Sequence, residues 1–299
     1  MSSMTHEDVS SEFPRLLCPG LWVVGNYYFN HYVVQGEQAS ALIETGVSAV
    51  VDQVIEQLDS IGISPSFLVV THPHSDHVTG LPGLRERYPQ ALVVAGEGAA
   101  EFLSHPKAEE SLLVEDRHMA RFLTSHGIAP GRPPLEEPPS LENCLVAHDR
   151  DEMDLGGRTL RFMAVGGHAP GTIVVSVPEI SAVILSDSLG FRFPGRGVFP
   201  LFFTDYADYL GTLDRIAGLH PAVVGVAHQG ALIGTEVERA FSEARAAAVN
   251  LRKRIREDSR DSEQLAREVL NDFYRDELTM YTQENIMSCT RLIVRRARE

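Results

Sequence analysis

Basic charge is in short supply in this chain. Its 26 lysines and arginines stand against 41 acidic residues, a formal charge of −15. A nucleic-acid partner needs an electropositive track, so no polyanion is expected as the main partner. A small anion in a locally positive pocket is still compatible with that charge. Solubility is the simpler reason for the acidity. Long hydrophobic runs are missing too. No apolar stretch approaches the roughly 20 residues that cross a bilayer. Met1 to Ser11 lacks the basic-then-apolar order of a secretory signal. The expectation is a cytoplasmic protein with no membrane contact. Cysteine is scarce: Cys18, Cys144 and Cys289 are far apart and odd in number. They form no CxxC pair and no disulfide framework, and read as buried or bystander thiols.

Several catalytic signatures are absent as well. There is no G-x-S-x-G elbow, no G-x-x-x-x-G-K phosphate loop and no dinucleotide fingerprint after a first strand. Serine-nucleophile and nucleotide-driven chemistry are therefore not expected. No repeat of solenoid length and no low-complexity tract occurs.

What is present is ordinary for a globular protein: 299 residues, 43% apolar and 22% charged. That length buries a full core, in one large α/β domain or a domain with an appendage. Short β-rich runs with glycine turns, from Leu16 to Ile43, predict an antiparallel meander. A helix over 47–58, a strand over 66–70, a helix over 78–88 and a strand over 91–94 follow, a β-α-β-α rhythm. Between Gly96 and Leu141 the pattern weakens to two helices, 99–103 and 109–125, and a proline-rich connector. This reads as a helical insertion over about 97–141. Its His105, His118 and His126 are isolated and read as surface or packing residues. Strands return over 160–165, 173–177, 182–185 and, last, 222–226. Thr204 or Asp205 is expected to cap a helix to Leu219.

From Thr235 onward the pattern is helical. Thr235-Glu236-Val237-Glu238 fits a capping box, and helices are expected to about Arg256, from Asp261 or Ser262 to about Tyr274, and over 283–297. Leu265, Val269, Leu270 and Phe273 form an apolar stripe at helical spacing. Packing on the main domain is the first reading of that stripe, a homodimer contact the second.

The chemistry is concentrated at Thr71-His72-Pro73-His74-Ser75-Asp76-His77, directly after the apolar run Phe67-Leu68-Val69-Val70. Imidazole and carboxylate are the ligands that borderline divalent metals accept. A surface loop rich in His and Asp by chance is disfavoured, because His168, Asp187 and His228 lie at other strand ends. Loops at one end of a sheet bring distant residues together. These seven N and O ligands are too many for one tetrahedral ion and suit two metals sharing a carboxylate. Asp187 is the natural sharer.

The order H-x-H-x-D-H, then Gly-His, then an Asp after a strand, then a His, resembles the metallo-β-lactamase superfamily from about Leu16 to Gly234. The resemblance implies an α/β fold, a four-layer αββα sandwich over about 14–234, with a C-terminal helical extension over 235–299 packed on the metal edge. It also implies that His72, His74 and His168 hold one metal, that Asp76, His77 and His228 hold the other, and that Asp187 bridges them. Glu44 stands where the superfamily often has the acid of an Asp-x-Gly. It is expected either to orient a ligand histidine through its far ring nitrogen or to cap a helix.

The layout resembles glyoxalase II-type and PqsE-type thioesterases. The implied activity is hydrolysis of a thioester or ester, lactones included, by hydroxide from a metal-bound water, with Asp76 also orienting that hydroxide. Alternatives are a phosphodiesterase with the same centre, or a partner-binding regulatory protein that keeps the fold. Zinc is the first expectation for the two ions, with iron or manganese behind it. The small-molecule substrate is expected to meet the aromatic segment after Asp187, with Phe191, Arg192, Phe193 and Phe202 as contacts. Arg192 or Arg196 is a candidate for a substrate carboxylate or phosphate.

Overall fold

The structure, a computed structural model, describes residues 13–299. Strands β1 (Arg15–Cys18), β2 (Leu21–Gly25), β3 (Asn30–Gln35) and β4 (Ser40–Ile43) form an antiparallel meander. A 3-10 turn at Ser48–Val50 opens helix α1 (Val51–Ser60), which returns the chain to β5 (Phe67–Val70), parallel to β4. Helices α2 (Ser75–Val78) and α3 (Leu81–Arg87) lead to β6 (Leu92–Gly96). Helices α4 (Ala99–Leu103) and α5 (Pro106–Ser125) lead to β7 (Leu145–Ala147). These seven strands make one sheet in sequence order.

The second sheet begins with β8 (Glu152–Asp154), β9 (Thr159–Ala164), β10 (Ile173–Val177) and β11 (Ala182–Ile184), all antiparallel neighbours. A small separate hairpin, β12 (Phe191–Phe193) with β13 (Gly197–Phe199), and helix α6 (Tyr206–Ala217) come next. Then β14 (Val223–Gly225) pairs parallel with β11, and β15 (Leu232–Ile233) closes that edge. Helices α7 (Thr235–Glu257), α8 (Ser262–Phe273) and α9 (Gln283–Arg298) complete the chain.

Side-chain alternation builds the layers, because successive residues of a strand point to opposite faces. In β3, Tyr32 and Val34 enter the layer between the sheets, where Ile173 and Val175 of β10 meet them. Val33, between them, faces outward with Leu42 and Leu68 onto Val54 and Leu58 of α1. The second sheet repeats the pattern. Val174 and Val183 turn away from the middle layer and join α6 to α9 in a third apolar cluster. Helices thus cover the outer faces of two stacked sheets, the α/β sandwich expected. Each buried Val or Leu side chain contributes about 1.5–3 kcal/mol. The stripe Leu265, Val269, Leu270 and Phe273 is taken up inside this third cluster.

Some local expectations are corrected. Thr235 does not cap α7: it is the first helical residue, after Gly234 at φ 62°, and no side chain caps that end. The Gly234 amide instead donates to the Ala222 carbonyl at 3.0 Å, so the chain enters α7 straight from the sheet edge. β14 is not the last strand, because Leu232–Ile233 adds a two-residue edge too short to show as a pattern. Asp205 and Asp261 do cap α6 and α8, accepting from the amides of Asp208 and Gln264.

Helix α5 is tied to the body by a buried acid. Asp116 accepts from the Ser48 amide (3.1 Å), Ser48 Oγ (2.7 Å), Thr79 Oγ1 (2.7 Å) and the Leu135 amide (2.9 Å). Removing it orphans several buried donors, each costing about 1–3 kcal/mol. Asp116→Ala is expected to lower the unfolding free energy by about 3 kcal/mol or more on that scale, measured by urea denaturation. An unchanged midpoint would refute this role.

Candidate metal centre

The candidate ligands arrive at one edge of the sandwich. Strands β4 and β5 are parallel and in register, as are β11 and β14, so each pair ends on the same side. Glu44 follows β4, the His-rich loop follows β5, Asp187 follows β11 and His228 follows β14; His168 lies in the loop between β9 and β10. Cross-links lock the loops together. The Ile173 amide donates to the Thr71 carbonyl (2.8 Å), the Asn30 amide to Ala227 (2.8 Å), and Tyr32 Oη to Val226 (2.8 Å).

Backbone strain marks the same places. Glu44, Ser186 and Gln229 hold φ values of 76°, 54° and 67°, a left-handed conformation that non-glycine residues rarely adopt. Each is a candidate site residue or the neighbour of one. Gly167, before His168, has φ 93°, and a Cβ there would lie 2.3 Å from Tyr209 Cα. Only glycine allows that turn against α6.

The seven residues fall into two groups. His72, His74, His168 and Asp187 offer atoms within 4.8 Å of one another, and so do Asp76, His77, Asp187 and His228. Asp187 belongs to both. In the first group, His168 Nε2 stands 3.2 Å from His72 Nε2 and 3.1 Å from His74 Nδ1. Nitrogens around one ion at about 2.0–2.1 Å are spaced about 3.3–3.4 Å apart in a tetrahedron. In the second group, Asp76 Oδ2 is 2.9 Å from His77 Nε2 and 3.5 Å from His228 Nε2. Asp187 Oδ1 is 3.5 Å from His228 Nε2, and its Oδ2 is 3.4 Å from His77 Nε2. His77 Nε2 is buried and, although 2.9 Å from Asp76 Oδ2, makes no well-aligned hydrogen bond. The donor set, its spacing and that nitrogen all fit divalent cations.

The far side of four of the five rings is held as well. Glu44 Oε2 lies 2.7 Å from His77 Nδ1, and Glu44 Oε1 accepts from Thr71 Oγ1 at 2.9 Å. Thr71 Oγ1 is 3.2 Å from His72 Nδ1, so one acid steadies two candidate ligands. Glu44 caps no helix. His168 Nδ1 faces the Leu201 carbonyl (3.1 Å) and His228 Nδ1 that of Tyr28 (2.5 Å). Such contacts fix the tautomer and aim the other nitrogen inward.

Burial and charge divide the two groups. Burial, with crowding by its histidine neighbours, holds His72 well below the ordinary imidazole range and takes His74 down to about 3. His168 is lowered by burial too. These rings are neutral, with free lone pairs. Burial also disfavours charge on His77, but Asp76, Glu44 and Asp187 outweigh it and raise that ring well above its usual value. Burial pulls His228 down as well, yet Asp187 and Asp76 hold it above. Asp76 is pushed up by burial and brought down to about 2 by His77. Protons on the second group therefore supply positive charge that a cation would replace.

A cavity of about 380 Å³ opens onto His74, His168 and Asp187. Its other walls come from α4 and α5 (Phe102, Leu112), the segment after Asp187 (Phe191, Phe203) and the C-terminal helices (Leu278, Ile286). Of the four residues expected to contact substrate, Phe191 lines this cavity; Arg192, Phe193 and Phe202 do not. Alternation in β12 turns Arg192 away from Phe191, toward Glu243 and Glu236 of α7. Phe193 stacks on Phe273, and Phe202 is wholly buried against Tyr206. Arg196 is ion-paired with Asp276 and Glu277, so it is not a free anion receptor. His105 caps α5, His118 meets the Thr279 carbonyl and His126 that of Phe122. Sequence reasoning missed Tyr281, whose hydroxyl donates to Asp76 Oδ2 at 2.6 Å. It lies in an irregular link, with no motif to announce it.

Known proteins are similar to this chain in sequence and fold. The metallo-β-lactamase superfamily model matches residues 28–228. The metallo-beta-lactamase fold-containing protein ST1585 of Sulfurisphaera tokodaii is 30% identical over 67% of this chain and 72% of its own length. Its crystal structure superposes with a TM-score of 0.56, covering 72% of this chain and 80% of that one at 28% identity. A hydroxyacylglutathione hydrolase of Ruegeria pomeroyi is 29% identical over 49% of this chain, and the match spans 44% of that enzyme. The acyl-coenzyme A thioesterase MBLAC2 of Bos taurus is 25% identical, over 66% of this chain and 72% of its own.

Two expected outcomes follow from the site. Glu44→Ala should weaken divalent-metal affinity by about 10–100-fold, the usual cost of losing an outer-shell partner, read by chelator competition. Because His77 and His228 are raised, metal binding should release protons and affinity should fall as pH drops. Potentiometric titration during zinc addition checks this, and no proton release would contradict it.

Proposed function

The chain belongs to the metallo-β-lactamase superfamily, and from that premise we propose that it is a metal-dependent hydrolase of thioesters or esters, lactones included, with an apolar acyl group. The observation that carries this reading is the cavity: its floor is His74, His168 and Asp187, and its walls are mostly apolar. Pockets of this kind bury an apolar body and fix orientation by a few polar groups. The hydroxyacylglutathione hydrolase and acyl-coenzyme A thioesterase relatives support the same class.

His72, His74, His168 and Asp187 would hold one cation and Asp76, His77, Asp187 and His228 the other, zinc first, with iron or manganese as alternatives. Bound there, such ions polarise a carbonyl and make water acidic enough to supply hydroxide near neutral pH. The protein's own groups do the rest. Asp76 is ionised and fixed by Tyr281 and His77, so it is suited to orient an attacking water. Cys289 reaches the cavity, but burial pushes its thiol up to about 12, which leaves it a poor nucleophile. In this reading the attacking group is water.

A phosphodiester polyanion fits this pocket less well. Arg296 is the one basic side chain among the described lining residues, and it is engaged with Glu299 at 2.9 Å. The substrate's acyl part would instead lie along Phe102, Leu112 and Ile286.

His74→Ala and Asp187→Ala are each expected to lower kcat/KM about a thousandfold, the order seen when one transition-state stabiliser is removed, with circular dichroism unchanged. The assay pairs elemental analysis with acyl-coenzyme A, lactone and bis-p-nitrophenyl phosphate substrates. Turnover of the phosphodiester alone would overturn the ester reading; full turnover in both variants would overturn the metal reading.

A further inference from the structure

Tyr281 has no counterpart in the motif that brings the other seven residues together. It sits between the 3-10 turn Asp276–Met280 and α9, far along the chain from the strand-end loops. Its ring is buried, and its hydroxyl lies 2.6 Å from Asp76 Oδ2 and 3.2 Å from His228 Nε2. Tyr281 also lines the cavity, whereas Asp76, His77 and His228 do not. The phenol therefore stands between Asp76, His77 and His228 and the cavity, while Asp187, shared by both groups, lines it. The first group meets that cavity directly through His74 and His168.

This placement is enforced from two sides. On one, Glu115 of α5 accepts from the Thr282 amide (2.9 Å) and Thr282 Oγ1 (2.5 Å), and His118 contacts the Thr279 carbonyl (3.0 Å). On the other, Tyr274 Oη donates to the Tyr281 carbonyl (3.0 Å), and the Tyr281 ring meets Phe191 edge-on at 6.3 Å. A buried carboxylate such as Glu115 is costly unless satisfied, and here both its oxygens are spent on the residue next to Tyr281. A packing role alone would explain the ring. It would not explain a hydroxyl that makes one of its two short polar contacts to Asp76 and the other to His228.

Resting on the two-metal reading, we propose that Tyr281 is a positioning residue of the centre. Its hydroxyl fixes the Asp76 carboxylate and closes the Asp76/His77/His228 position to the cavity, so the C-terminal extension sets how firmly that position holds its cation. The His72/His74/His168 position is then the one a substrate reaches. The two positions are inequivalent because of a segment outside the motif, docked through Glu115.

Metal release separates this role from simple packing. Full-length protein is loaded with zinc, counted by elemental analysis and mixed with a chromogenic chelator. Wild type should hold two equivalents that leave at different rates. Tyr281→Phe keeps the ring and removes only the hydroxyl; one equivalent should leave about tenfold faster, on the scale of one hydrogen bond to a charged group, with the other unchanged. Glu115→Gln should accelerate the same phase by a smaller factor, and serves if Tyr281→Phe does not fold. In a His74→Ala background the remaining equivalent reports the second position alone, and Tyr281→Phe should accelerate it there too. Unchanged release in Tyr281→Phe, or equal acceleration of both equivalents, would overturn the proposal. Fewer than two equivalents in wild type would overturn the two-metal reading with it, and is visible before any variant is made.

Discussion

Three carboxylates and five imidazoles share a desolvated edge of this sandwich, and the rest of the structure is arranged to keep that cluster together. Charge out of water is expensive unless it is paired and hydrogen-bonded. Glu44, Asp76 and Asp187 lie against His77, and Asp76 and Asp187 also against His228. The other three histidines stay neutral under burial. The cluster is thus split in character. One half presents lone pairs, and the other holds protons among acids. Both halves suit cations, and Asp187 belongs to each.

Holding such a cluster takes rigid supports. The parallel register of β4 with β5 and of β11 with β14 puts the loop ends on one side, and strained residues then aim them. Glu44 in a left-handed conformation is the clearest case: the backbone energy spent there places one carboxylate on both His77 and Thr71. Helix α5 contributes through consecutive buried acids. Asp116 ties it to the turn before α1 and to Thr79, two residues past His77, while Glu115 reaches the other way to Thr282. A single helical turn therefore couples the His-rich loop to the C-terminal extension.

Much of this was legible in the sequence. Most strands of both sheets showed as short apolar runs between turn signals, because both of their faces are packed; β7, β8 and β15, of two or three residues each, did not. The metal loops showed because imidazole and carboxylate at strand ends are rare and chemically specific. What failed to show was set by tertiary geometry. Thr235 has capping-box neighbours, yet the sheet edge already fixes how the chain enters α7. Phe193 and Phe202 are as aromatic as Phe191, and only the hairpin β12–β13 decides that Phe191 faces the cavity while Phe193 stacks on Phe273. Arg196 looked like an anion receptor because its partners Asp276 and Glu277 lie some eighty positions away. Tyr281 carried no signal at all, since a lone tyrosine in a link between helices has no pattern to belong to.

The apolar cavity and the charged cluster are parts of one device. Electrostatic interactions strengthen as water is excluded, and the groups that exclude it here are Phe102 and Leu112 of the insertion and Leu278 and Ile286 of the extension. The walls that would select an acyl group are thereby the walls that lower the dielectric around His74, His168 and Asp187. The extension also carries Tyr281, three residues after Leu278 and five before Ile286. A change that enlarges the cavity by moving this segment would therefore also move the phenol away from Asp76. Substrate preference and the integrity of the second group are bound to one short stretch of backbone, held to α5 through the two hydrogen bonds of Glu115.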